Sequence, residues 1–247
     1  MKLLISSESQ LFIVDATIGK TMPLESKAIS FTDLTPLSKK FYGIDIDGKL
    51  WEITTSSNTL DTLSSHMTFS TDNFGGFPRW ITFYDGILLF GGNGIDIMSV
   101  YYVKINDSRD GETIRSTRTD TQRGYNNMFR SVISKKSIRK QLNSDSQLQI
   151  LSSTITTNGT YYLAKIIYGP ELYFLISSED RSIKYKLLKN LPSQPICIKT
   201  YDNDILGFFQ SDNGFLYGKL TMSKGLVTKS PHFVYFNGPV DALTIMD

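Results

Sequence analysis

A single cysteine, Cys197, and two histidines, His66 and His232, are the only thiol and imidazole groups in 247 residues. An intrachain disulfide is therefore excluded, and a zinc site has too few of its usual ligands. No run approaches the roughly 18 apolar residues of a membrane-spanning helix, and Met1-Lys2 leads into only Leu3, Leu4 and Ile5 before serines begin, too short for a signal-peptide core. An excess of one charge is missing too. With 26 Lys and Arg against 24 Asp and Glu, the net charge of +2 gives the whole chain no pull toward nucleic acid or an acidic membrane. Alanine occurs only at Ala16, Ala28, Ala164 and Ala242, while Ile, Ser, Thr, Lys and Asn abound, a usage typical of AT-rich genomes such as those of many phages and large viruses. These absences predict a soluble protein of a reducing compartment, cytoplasmic or inside a viral or phage particle, with no cofactor and no metal.

What the chain does contain is a repeat. Five short apolar/polar alternations stop at Asp or Asn: AISFTD at Asp33, WITFYD at Asp85, STITTN at Asn158, CIKTYD at Asp202 and ALTIMD at Asp247. The first four lead into apolar runs, KFYGI, ILLF, YYLAKI and ILGFF, which read as strands buried on both faces. For the fifth, the continuation is KLLI at the N-terminus. Asp85-Gly86 and Asn158-Gly159 are strong signals for type I′ hairpin turns, and Asp202-Asn203 is a softer one. A third strand follows in each copy, usually with an aliphatic-aromatic pair: Leu11-Phe12, Leu50-Trp51, Leu172-Tyr173 and Leu216-Tyr217, with Tyr101-Tyr102 departing from the pattern. More polar fourth strands fit at TMPLE, TLDTL, ETIRST, IKYKLL and LVTKS, where charge discourages edge pairing.

Four strands per unit, with anchors mostly about 40 to 50 residues apart, is blade spacing. The chain resembles a five-bladed β-propeller. The resemblance implies an all-β single domain over 1–247, with a closing blade that takes its innermost strand from the C-terminus and its outer three from the N-terminus. WD-repeat, kelch and Asp-box signatures are absent, so the resemblance transfers no functional residues. A β-sandwich or two small barrels are the competing readings of the same spacing.

Asp85 and Asn158 stand 73 residues apart, against 44 and 45 for the next two intervals. The excess predicts an insertion at about 118–146. Between positions 115 and 140 there are eight cations, Arg115, Arg118, Arg123, Arg130, Lys135, Lys136, Arg139 and Lys140, against one acid, Asp120. Tyr125, Met128, Phe129, Val132 and Ile133 fall at helical spacing, with Leu142 beyond, predicting a short amphipathic helix. Three roles compete: an apolar stripe packed on the body with solvated cations, a docking helix for a protein partner, or a patch for a nucleic-acid backbone or anionic surface. In a propeller the insertion shares its rim with the turns at 45–48, 91–94 and 212–214, the expected contact face. Trp80, after Pro78-Arg79, is the aromatic expected to be exposed.

Catalytic signals are weaker. Some five-bladed propellers are glycoside hydrolases, whose carboxylate pair needs unlike environments. Asp33, Asp85, Asp202 and Asp247 are expected at equivalent strand ends with like environments, which suits turn formation better, and Asp241 is the remaining inner-strand acid. Asp45, Asp47 and Gly48 echo part of a calcium loop but lack its later ligands. Gly91, Gly92 and Gly94 open no helix, so a phosphate loop is not indicated. Trp51, Tyr173 and Tyr217 recur at equivalent positions and are read as packing between blades rather than sugar platforms. The expected function is a non-catalytic interaction scaffold, a structural subunit of a larger assembly such as a phage or viral particle. A glycan-binding lectin and a glycosidase are the alternatives.

Overall fold

Segments rich in β-branched and aromatic residues pair in sequence order into five antiparallel sheets. The computed structural model describes the chain except residues 38–39, 57–58, 69–77, 85–86, 94–97, 105–114, 119–135, 180–181, 229 and 247. One sheet has the order β21–β1–β2–β3, with β1 (Lys2–Ser7), β2 (Gln10–Asp15), β3 (Lys20–Leu24) and β21 (Ala242–Met246). The next holds β4 (Phe31–Leu37), β5 (Lys40–Asp45), β6 (Lys49–Ser56) and β7 (Thr59–Thr68), and a third β8 (Pro78–Tyr84), β9 (Ile87–Asn93), β10 (Met98–Lys104) and β11 (Arg115–Arg118). The fourth holds β12 (Gln147–Thr156), β13 (Gly159–Ile167), β14 (Tyr173–Glu179) and β15 (Ser182–Leu188). The fifth runs β16 (Pro195–Tyr201), β17 (Asp204–Ser211), β18 (Gly214–Thr221) and β19 (Gly225–Leu226), with β20 (His232–Tyr235) also on β18.

The chain divides into two compact units, Met1–Thr121 with Phe236–Asp247, and Gln122–Tyr235. In the first, β21, β4 and β8 are neighbours, and in the second β12 neighbours β16, so the leading strands of successive meanders lie together in a β-propeller arrangement. Both termini share one sheet. Leu3, Leu4 and Ile5 pair with Ile245, Thr244 and Leu243, all at most 3% exposed. An apolar cluster with Leu11, Ile13, Phe31, Phe41 and Ile53 joins the first two sheets within the first unit, and one with Leu163, Leu175, Ile198, Phe209 and Leu220 joins the two sheets of the second. Trp51 packs against the former cluster and Tyr173 belongs to the latter, as a packing role requires.

Four leading strands share one irregularity. Thr32, Arg79, Leu151 and Ile196 are each bulged out of register, five residues before the last paired residue of their strand. This bulge aligns the repeats better than the Asp/Asn anchors do. It makes Leu37, Tyr84, Thr156 and Tyr201 equivalent strand ends, so Asp33 does not end its strand but lies inside β4, 2% exposed. The alternation of AISFTD ends there by coincidence, because Leu34-Thr35-Pro36-Leu37 continues the strand.

Turn chemistry also differs from expectation. Asp202 and Asn203 (φ 47° and 64°) form a two-residue loop between paired Tyr201 and Asp204, and Glu8 and Ser9 (47° and 66°) do the same between Ser7 and Gln10. Both have the positive φ pair of a type I′ turn. At Asn158-Gly159, by contrast, Thr156 pairs with Gly159, and only the glycine has positive φ, at 132°. There Asn158 N–H donates to Thr156 Oγ1 (3.1 Å), so the side chain closes the turn. Asp85-Gly86 and Asp247 lie outside the described residues.

The predicted amphipathic helix falls mostly outside the described residues. What is described is one turn, α1 (Lys136–Arg139), so a full helix is not seen.

Candidate functional site on the leading strands

The bulges place a small set of side chains at equivalent points. Just after each bulge stand Asp33, Trp80, Ser152 and Cys197, every one at most 4% exposed. The expected exposure of Trp80 is therefore overturned. The bulge at Arg79 re-aims the chain, Trp80 pairs with Gly91, and the indole is completely buried.

Asp33 and Ser152 act alike. Asp33 Oδ2 accepts the N–H of Ile81 on the neighbouring β8 (3.0 Å), while Ser152 Oγ lies 3.3 Å from both N and O of Ile198 on the neighbouring β16. Ile81 and Ile198 are the equivalent residues two past the bulge. Leu34, third in that series, gives its N–H to Asp33 Oδ1 (2.9 Å). None of these backbone groups belongs to a bulged residue; the Ile81 and Ile198 groups lie on the leading strand of the adjacent sheet, so Asp33 and Ser152 clasp one sheet to the next. Further along in the second unit, Thr154 and Thr200 hydroxyls meet at 2.8 Å, Thr200 Oγ1 donates to Ile155 O (2.7 Å), and Asn203 Oδ1 accepts from both N and Oγ1 of Thr157 (3.0 Å each).

Three residues past each bulge the chain places Thr35, Thr82, Thr154 and Lys199, at 4–5% exposure. Lys199 is a buried cation where the other repeats carry a hydroxyl. Its position is not among the candidates read from sequence, and the one signal for it there is a lysine inside the strand segment CIKTYD.

The other buried carboxylates are equally committed. Asp45 Oδ1 accepts from the N–H groups of Asp47 (3.0 Å) and Lys49 (2.8 Å), and its Oδ2 from Trp51 Nε1 (2.8 Å), while Lys49 Nζ sits 4.7 Å over the indole. This Asx turn accounts for the Asp45-Asp47-Gly48 motif without a cation. Glu52 Oε2 accepts from Tyr42 Oη (2.9 Å) and Oε1 pairs with Lys40 Nζ (2.9 Å), on the cross-strand pair Tyr42–Glu52. Among the described residues the buried carboxylates are Asp33, Asp45 and Glu52, and each has both oxygens engaged.

Asp241, just before β21, is exposed and accepts the N–H of Glu8 through Oδ2 (2.9 Å). Burial of its carboxylate raises its pKa, opposed by that hydrogen bond and reinforced by the Glu8 charge. The Tyr217 phenol is likewise pushed up by burial and then by Tyr201, and its ring stacks on His232 at 5.0 Å.

Of the basic residues singled out from sequence, Arg123, Arg130 and Lys135 lie outside the described residues. Lys136, Arg139 and Lys140 are exposed on and just after α1, while Ile138 between them is 2% exposed. The one described turn thus anchors an apolar residue and turns its cations to solvent. Gly91 and Gly92 are strand residues of β9, and Gly94 lies outside the described residues. No group of His, Cys, Asp and Glu suited to a metal ion occurs among the described residues. Among them, too, no helix is long and apolar enough to cross a membrane.

No protein-family model matches the chain, and no curated protein does. Solved structures resemble it along nearly the whole chain. A chain of a nidogen/laminin complex matches with a TM-score of 0.50 at 11% identity, over 99% of this chain and 98% of the other. A candidate 6-phosphogluconolactonase from Bacteroides fragilis gives 0.48 at 11% identity, over 100% and 98%. The N-terminal domain of Nup159 gives 0.42 at 9%, over 94% of this chain and 62% of that one. At 11% identity the first likeness is one of fold alone, and the other two, with TM-scores below 0.5, add nothing to it.

Proposed function

We propose that the five sheets are blades of one five-bladed propeller and that the protein is a non-catalytic interaction scaffold, a structural subunit of a larger assembly such as a phage or viral particle. The observation that carries the non-catalytic part is the saturation of the buried carboxylates among the described residues. A glycosidase acid or nucleophile needs an oxygen free to face substrate, and a pair in unlike environments. Asp33, Asp45 and Glu52 instead hold backbone N–H groups, an indole, a phenol and a lysine.

The partner-binding element is the basic insertion, 118–146, with Arg123, Arg130, Lys135, Lys136, Arg139 and Lys140 as its contact residues. Ile138 buried beside exposed Lys136, Arg139 and Lys140 supports an insertion seated on the body with its charge outward. Such a surface suits an acidic protein face, with a nucleic-acid backbone or anionic surface as the competing ligand.

The test is co-purification from the native source, comparing wild type, the Asp33→Asn/Asp241→Asn pair and a variant with those six cations changed to Ser. Retention by the Asn pair and loss by the Ser variant is the expected result. Hydrolysis of an aryl glycoside that disappears in the Asn pair would overturn the scaffold reading. A partner complex indifferent to all six cations would overturn the role of the insertion.

A further inference from the structure

The outer strand of the fifth sheet is broken. Along β18, Leu226 of β19 pairs with Leu220 and His232 of β20 pairs with Tyr217, so six positions of the outer strand span three of β18. Beyond that break β20 resumes the pairing with β18. Its residues alternate sharply. Val234 is 2% exposed and His232 stacks on Tyr217, whereas Phe233 and Tyr235 are 52% and 59% exposed on the opposite face.

Other outer strands carry residues that discourage pairing: Lys20 and Pro23 in β3, Asp61 in β7, Lys184 and Lys186 in β15. β20 has none. No charged residue occurs from Ser230 to Val240.

We propose that β20 is a self-pairing edge, through which a second copy of this chain joins antiparallel about a two-fold axis at Val234. Like-with-like pairing is favoured on two grounds. First, this register sets Phe233 of each copy against Tyr235 of the other, twice, on the face where both are exposed, and Val234 against Val234 on the buried face. Cross-strand aromatic pairs of this kind stabilise a sheet. Second, a strand with no charge meets its own copy without the repulsion that two copies of β15 would suffer, and offers a charged foreign strand nothing complementary. Four residues make a small contact, below the roughly 1,200 Å² of a standard interface, so the dimer is weak and concentration-dependent. This inference is separate from the role of the basic insertion and neither depends on the other.

Sedimentation equilibrium of the full chain between about 5 µM and about 1 mM tests it. The expected result is a mass rising from 27.9 kDa toward twice that value. Phe233→Lys with Tyr235→Lys is expected to raise the dissociation constant by at least about tenfold without changing the melting temperature, since both side chains are exposed. Should the lysines lower the melting temperature, Phe233→Thr with Tyr235→Thr, which keeps strand preference, makes the same comparison. A wild type that stays monomeric throughout, or a dimer that survives both pairs of substitutions, overturns the proposal.

Discussion

Replacing Asp33 by Ala removes the acceptor for two buried backbone N–H groups at once, Leu34 at 2.9 Å and Ile81 at 3.0 Å, both on residues with no exposed surface. A hydrogen bond to a charged group contributes about 1.5–3 kcal/mol, and a buried donor left unsatisfied costs about 1–3 kcal/mol. The relief of no longer burying a carboxylate offsets part of this. The net expectation is a loss of about 2–4 kcal/mol. For a chain of this length each kcal/mol moves the melting temperature by about 2–4 °C, so Asp33→Ala should melt about 4–16 °C lower. Asp33→Asn keeps one oxygen and turns an NH2 toward the other donor, for about 1–2 kcal/mol. Ser152→Ala, which removes a neutral hydroxyl at 3.3 Å from each partner, should cost least, about 0.5–1.5 kcal/mol. Thermal melts by circular dichroism, with urea titrations to check for an unchanged m-value, measure the series. An Asp33→Ala protein melting within about 2 °C of wild type would refute the clasp, as would Asn proving as damaging as Ala.

Other consequences follow from the same contacts. Gly43→Ala builds a Cβ 2.5 Å from the Phe31 ring and 2.8 Å from Leu34, so it should destabilise by about 1–3 kcal/mol in a urea titration, and a neutral effect would contradict the close packing. Trp51→Phe deletes the indole N–H that Asp45 accepts and should cost about 1–2 kcal/mol, with Asp45→Ala costing more because two backbone N–H groups are also orphaned. Asp241 has its folded pKa raised, so wild-type stability from this group is lost as pH rises from its unfolded value through the folded one. Asp241→Asn keeps an acceptor for Glu8, and its stability relative to wild type should climb as pH rises from the ordinary carboxylate value upward, by no more than about 1 kcal/mol for so exposed a group. A relative fall over that range would contradict the sign.

Strand identity was legible because alternation and turn residues are local properties, and the order β21–β1–β2–β3 was legible because ALTIMD lacked a continuation that KLLI supplied. The frame of the first repeat was not. Asp33 resembles a turn residue in sequence, and only the backbone group of Ile81, 48 positions away, gives it a different job. Trp80 looked exposed among Pro78, Arg79 and the glycines before them, but one bulged residue decides which face it occupies, and bulges leave no dependable mark in sequence. The Glu8-Ser9 turn lacks Gly and Asn, the usual markers of positive φ, and HFVY is hidden in sequence by LVTKS just before it, which offers the same sheet an outer strand. The committed oxygens of Asp45 and Glu52 likewise depend on neighbours that pattern alone does not reveal.

The most direct test of the architecture is removal of residues 242–247. Ala242, Leu243 and Ile245 are at most 3% exposed, and the strand pairs with five residues of β1. Burying a large aliphatic side chain contributes about 1.5–3 kcal/mol, so with the ladder bonds the loss exceeds about 4 kcal/mol, comparable with the whole stability of many domains. The truncated chain is expected to lose its cooperative thermal transition or to melt more than about 10 °C lower, and the peptide ALTIMD added in trans to restore part of the loss. A truncated protein that melts cooperatively at the wild-type temperature would contradict this expectation.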